Sequence, residues 1–137
     1  MTTIAVQPFV LKAALLQVAA DNYEKHIASA TFTPNVSDVT WKGIDGSVVR
    51  DQGTPEWSVS IDYAQDWTTA NSFSKYLSTN VGLQKTIIFS PQGSTAGKPK
   101  VTIDVIIKPG PFGGKVDDLQ VSSVTLVCVG QPVWGTW

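Results

Sequence analysis

Alternation of apolar and polar residues constrains this chain more than any other feature, because a strand sends successive side chains to opposite faces. Trp57, Val59, Ile61 and Tyr63 alternate with Ser58, Ser60 and Asp62. Val101, Ile103, Val105 and Ile107 alternate with Thr102, Asp104 and Lys108, Ile106 being the exception. Ala28, Ala30 and Phe32 alternate with Ser29 and Thr31, and Ile87 with Phe89 forms one face of Gln84 to Ser90. Four half-buried strands recurring along the chain predict a mainly β fold.

In the closing segment the apolar set Leu119, Val121 changes phase to Val124, Leu126, Cys128 across Ser122-Ser123, which predicts a β-bulge there. Val127 and Val129 make its other face apolar too, so this strand is expected to be central or interfacial. Val10 to Tyr23 fits helical spacing through Leu11, Ala14, Leu15 and Val18, yet Asp21-Asn22 is turn chemistry. A hairpin of about 11–19 with 24–33 is the expectation adopted. One helix is expected over about 70–80, with Phe73, Tyr76 and Leu77 on its buried stripe, Thr69 or Asn71 as N-cap and Asn80-Val81-Gly82 as stop.

Lys42 to Glu56, Pro91 to Pro99 and Lys108 to Asp118 read as loops from their glycines and prolines. The chain is expected to be one domain, 1–137, with an N-terminal arm 1–9 and a C-terminal tail 131–137 holding Trp134 and Trp137. Trp41 and Trp57 are in phase with Val39 and Val59 and are expected in the core. Charged residues are only 15% of the chain, below the roughly 25% of ordinary soluble domains, which leaves surface suited to a partner. A net charge of -1 provides no basic footprint for gripping nucleic acid.

Signals for chemistry are weak. His26 is the only histidine and falls in a strand without a nucleophile motif; Asp62 with Asp66, and Asp117 with Asp118, read as solvated turn carboxylates. Gly93 to Pro99 departs from a phosphate loop in spacing and in Pro99, where Ser or Thr is needed. Cys128 reads as a small buried hydrophobe. No catalytic residue, metal ligand or cofactor is expected. Phe9 to Ala20 follows no basic region and carries Lys12, so it is read as mature protein, and no run reaches the roughly 18 apolar residues of a membrane span.

The order of elements carries a resemblance. Ala28-Ser29-Ala30-Thr31-Phe32-Thr33-Pro34 precedes Val39-Thr40-Trp41-Lys42-Gly43-Ile44-Asp45-Gly46, then Trp57 to Trp67, the helix around Phe73 to Leu77, the pair Ile87 to Pro91 and Val101 to Lys108, and Val121 to Gly130 with Gln131-Pro132. Over about 10–133 this resembles the major tail tube protein of long-tailed, siphovirus-type bacteriophages.

The resemblance implies an antiparallel β-sandwich or barrel with one flanking helix. It implies homohexameric rings stacked into a virion tube, made in the host cytoplasm, through which DNA passes without specific binding. The implied partners are the chain itself, a tape measure protein, and tail terminator and distal tail proteins. On that frame Ser58, Ser60, Asp62, Thr102 and Asp104 are expected to face the lumen. Val127, Val129, Phe112 and Trp134 are expected at the subunit interface, and Val48, Val49, Arg50 and Asp51 between rings. The competing expectations are a carbohydrate-binding β-sandwich, monomeric, with solvent-exposed Trp41, Trp57 or Trp67, and another virion or secretion-tube component.

Overall fold

Nine strands and one short helix follow one another in the structure, a computed structural model that describes residues 1–12 and 14–137. The strands are β1 (Leu15–Val18), β2 (Asp21–Asn22), β3 (Ile27–Asn35), β4 (Asp38–Lys42), β5 (Val48–Gln52), β6 (Glu56–Ala64), β7 (Gln84–Ser90), β8 (Pro99–Ile106) and β9 (Val121–Thr136); α1 (Phe73–Thr79) lies between β6 and β7. Seven strands form one sheet in the order β2-β1-β7-β8-β9-β6-β3, and β4 with β5 forms a separate two-stranded sheet. Every pairing is antiparallel.

The alternation read from the sequence is realised. Val59, Ile61 and Tyr63 of β6 meet Leu126 and Val124 of β9, while Ile103, Val105 and Ile107 meet Ile87 and Leu16, all buried on one face. The sheet curls so that its two ends approach: Leu15 and Leu16 of β1 and Ile27 to Ala30 of β3 line one crevice, and Phe32 lies 5.6 Å from Phe89 across the interior. Burial of these aliphatic side chains, about 1.5–3 kcal/mol each, is the main force holding the curl.

Helix α1 closes one end of the curled sheet, burying Phe73 and Leu77, with Phe73 edge-on to Tyr63 and Tyr23 at 5.1 and 5.4 Å. It starts at Phe73 and not near residue 70 because Asn71 is left-handed at φ 59°, a conformation that cannot continue into a helix. Ser72 is the N-cap, its Oγ accepting from Lys75 N and donating to Asp66 O at 2.6 Å. Asn80 ends the helix, as the sequence suggests.

Several expectations need correction. Segment 11–19 contributes a strand, yet β1 pairs with β7 and β2, and β3 pairs with β6, so the expected 11–19/24–33 hairpin does not form. Its turn residues Asp21-Asn22 are themselves strand β2, and Ala19, at φ 56°, makes the turn. No bulge falls at Ser122-Ser123, where the β6–β9 register runs unbroken from Val121 to Val127. The discontinuity lies later: Thr102 pairs with Val133 but Asp104 with Val129, so Gly130-Gln131-Pro132 loop out opposite Ile103, with Gly130 at φ 78°. Beyond that bulge, 131–137 is no tail, because β9 continues to Thr136 against Pro99 and Lys100.

Lys42 to Glu56 is also not one loop. Val48–Gln52 pairs with Asp38–Lys42, leaving 43–47 as the connection, fastened by Gly43 N to Ser47 O at 2.7 Å and by Asp45 Oδ1 accepting from Ser47 N at 3.0 Å. Trp41 is 70% exposed on this arm and is not in the core. Its alternation is real, but no second layer among the described residues covers either face of the hairpin, whose paired residues are all exposed.

Candidate functional site

Three surfaces left uncovered by the chain itself are the candidates, and all follow from the sheet. The outward face of β6 and its neighbours is the first. Because Val59, Ile61 and Tyr63 point in, Ser58, Ser60 and Asp62 point out, level with Val127, Thr125 and Ser123 of β9. On β8 the same logic turns Thr102 and Asp104 outward, opposite Val133 and Val129. The structure therefore brings all five residues expected to line a lumen onto one face of three adjacent strands.

Short side chains hold the two carboxylates on this face. Asp62 accepts from Ser29 Oγ at 2.8 Å and from Ser123 Oγ, and these hydroxyls hold its carboxyl below the usual carboxylate range, Ser123 contributing most. Asp104 accepts from Thr86 Oγ1 at 2.7 Å and from Gln84 Nε2 at 3.2 Å. Among the described residues of β3, β6, β7, β8 and β9, Lys100 is the one cation at an outward strand position, and it lies at the end of β8 with its Nζ 4.5 Å from the ring centre of Trp137. The face is acidic and hydroxylated across its middle.

The expected interface set does not form one patch. Val127 and Val129 lie within the outward face, opposite Ser58 and Asp104. Phe112 sits instead in the 107–120 connection, stacked edge-on against Trp67 at 5.9 Å, and that connection is anchored by Gln65, which bonds both N and O of Gly113 at 3.0 and 2.9 Å. Trp134 points to the opposite side of the sheet.

The second surface is the β4–β5 arm, whose ten paired residues are all exposed. Cross-strand register puts Val39, Trp41, Val49 and Asp51 on one face and Val48 and Arg50 on the other. The four residues expected between rings are thus brought together on one strand but split between its faces. Gln131, in the β9 bulge, holds the arm's base: its Oε1 accepts from Trp57 Nε1 at 2.9 Å and its Nε2 donates to Pro55 O at 2.7 Å. The sequence offered no sign of this residue, since the contact depends on a bulge whose register appears only in the folded sheet.

The third surface is the end of the curled sheet away from α1. It is an open cleft of about 560 Å³ with Phe32, Trp57, Phe89, Val101 and Trp134 on its walls. Pro34, Pro91, Pro99 and Pro132 ring it, and none can donate a backbone hydrogen bond. Phe9 of the arm preceding β1 reaches its rim.

Among the described residues no set resembles a reaction centre. His26 packs edge-on to Tyr23 at 5.8 Å, and burial pushes the half-buried Cys128 thiol up, away from reactivity. Asp66, its carboxyl held well below the usual range by Thr69 and Thr68, caps the turn before α1.

No known protein-family model matches the chain, and no curated protein sequence matches it. Solved structures do. A chain of the extracellular contractile injection system PVC sheath–tube complex in its extended state superposes with TM-score 0.66 at 11% identity, covering 95% of this chain and 93% of that one. A chain of the anti-feeding prophage cap, the AFP tube-terminating cap, gives 0.68 at 15% identity over 99% and 97%. The PVC sheath/tube terminator in the extended state gives 0.68 at 12% over 97% and 100%. The class defined is a mainly β, tail-tube-like fold, matched over nearly the whole of both chains. These likenesses support a tail-tube-like fold and do not single out the siphophage family that the sequence resembles.

Proposed function

We propose that this protein is a non-enzymatic structural subunit of a phage tail or related injection particle, forming closed six-fold rings that stack into, or terminate, a tube. One observation carries the reading: the outward face of the central strands β6, β9 and β8 is uncovered, and its middle holds hydroxyls, valines and two carboxylates without a cation. A conduit must let DNA slide, and a face without basic groups does not retain phosphates. Ser58, Ser60, Asp62, Thr102 and Asp104 then line the channel, with Val127 and Val129 among them. The β4–β5 arm, with Val48, Val49, Arg50 and Asp51, makes the contact between successive rings. The partners are further copies of the chain, with tape measure, terminator and distal tail proteins meeting the stack.

The fold shared with tube and terminator chains supports this reading, as does the exposed arm, whose apolar points Val39, Trp41 and Val49 are rimmed by charge in the manner of an interface. Exposure of Trp41, and of Trp67 at 44%, favours the second reading, a sugar-stacking module. Electron micrographs of purified, concentrated protein, with sedimentation over a dilution series, test both. Six-fold rings or tubes are expected; a monomer at every concentration would overturn assembly and leave the sugar-binding reading.

A further inference from the structure

The curled sheet is plugged at one end and not at the other. Phe73 and Leu77 of α1 fill the end near Tyr63, whereas at the end near Trp57 the cleft of about 560 Å³ stays open between aromatic walls. Among the described residues no charged side chain lines it. The same chain displays an apolar strip with nothing beneath it: in the arm preceding β1, Ile4 is 89% and Val6 83% exposed. From Thr2 to Leu11 that arm has no charged side chain, and Ile4 and Val6, two residues apart, would share one side of it on pairing as a strand. Phe9 brings its own end of the arm to the cleft rim while Ile4 and Val6 stay outside.

We infer that the arm is exchanged between copies, Ile4 and Val6 of one subunit filling the apolar cleft of the next. This rests on the self-assembly proposed above and names the contact that closes the ring. Charge selects the arm over the other exposed apolar element. The β4–β5 hairpin would bring Asp38, Lys42, Asp45, Arg50 or Asp51 toward a cleft with no partner for them, at a desolvation cost the uncharged arm does not meet. Two complementary surfaces on one chain that do not satisfy each other within it generate a head-to-tail contact, the kind that closes rings.

The test uses the full chain with Cys128→Ser, so that added thiols are the only ones, and with Val6→Cys and Ala30→Cys, the latter on the cleft wall. Oxidation at assembling concentration is expected to give a ladder of covalent oligomers that disappears when the sample is diluted first. Rings without a ladder, or a fast-migrating internally bridged monomer, would overturn the exchange while leaving ring assembly standing. A ladder from Val49→Cys with Ala30→Cys, absent with Val6→Cys, would give the cleft to the hairpin and overturn it too. Absence of any oligomer would overturn both proposals. A second variant guards against a misplaced thiol: Val6→Asp should leave subunit melting unchanged, because Val6 is exposed, and raise the concentration for half-assembly at least about tenfold. Unchanged half-assembly in Val6→Asp would count against the arm.

Discussion

Replacing Gln131 by alanine should loosen the base of the projecting arm without touching the core. The amide makes two hydrogen bonds, from Trp57 Nε1 at 2.9 Å and to Pro55 O at 2.7 Å, so it ties the bulge of β9 to the segment entering β6. Each bond has a net worth of about 0.5–1.5 kcal/mol. Water reaches this site and recovers part of that, so a loss of about 1–2 kcal/mol is expected. For a chain of this size that lowers the melting midpoint by roughly 3–7 °C. Limited proteolysis should then cut faster near Gly53 to Pro55, where the arm leaves the sheet. Gln131→Glu separates the two bonds: at neutral pH the carboxylate still accepts from Trp57 but faces the Pro55 carbonyl without a proton. It should melt like the alanine variant at pH 7 and recover in part below about pH 4, once protonated. Melting within 1 °C of the parent, with unchanged cleavage, would refute the clamp.

Three further outcomes are expected. Asp62→Lys with Asp104→Lys should leave rings and tubes intact in micrographs but slow DNA ejection from particles carrying them; unchanged ejection kinetics would remove these residues from the channel. Exchange of Asp38–Gln52 for two glycines should leave a folded subunit, since the arm's residues are exposed, yet abolish long tubes; tubes of normal length would reassign the contact between rings. Tyr23→Phe should stabilise by about 1 kcal/mol, because the Tyr23 hydroxyl is buried without a protein partner. Burial, with Asp21 and Tyr76 nearby, pushes that phenol up to about 12, so its share of stability is intact below pH 10 and lost as pH rises toward 12. Alkaline melts of the two proteins should therefore diverge, the parent falling further below Tyr23→Phe as pH rises from 10 toward 12, and parallel curves from pH 9 to 12 would exclude this role.

Which residues point inward was legible wherever a strand is half-buried. Val59, Ile61 and Tyr63, or Ile103 and Val105, repeat with period two because one face meets the core, and that same regularity placed Ser58, Ser60 and Asp62 together. Period two says nothing about whether a face is covered, which is why Trp41 on an isolated hairpin read like Trp57 beside the core. Charges spread along both strands and both faces, Asp38 and Lys42 on β4 with Arg50 and Asp51 on β5, are the signal that could have shown an uncovered arm. Strand partners were not legible either, since β1 finds β7 about 70 residues away for reasons of fit, not local pattern. Gly130 and Pro132 carry turn chemistry and read as an end, whereas the sheet absorbs them as a bulge and continues.

The position of β9 has a consequence for synthesis. It is the last strand in sequence order, yet it sits between β8 and β6 and is the only link between β2-β1-β7-β8 and β6-β3. Until Val121–Thr136 has been translated, a nascent chain holds two separate half-sheets, and neither has the continuous outward face proposed above to line a channel. At about 5–20 residues per second the earlier strands wait several seconds for it. A chain in which β9 has not yet been made therefore lacks that face, and on the assembly proposed above competence arrives in one step with this strand.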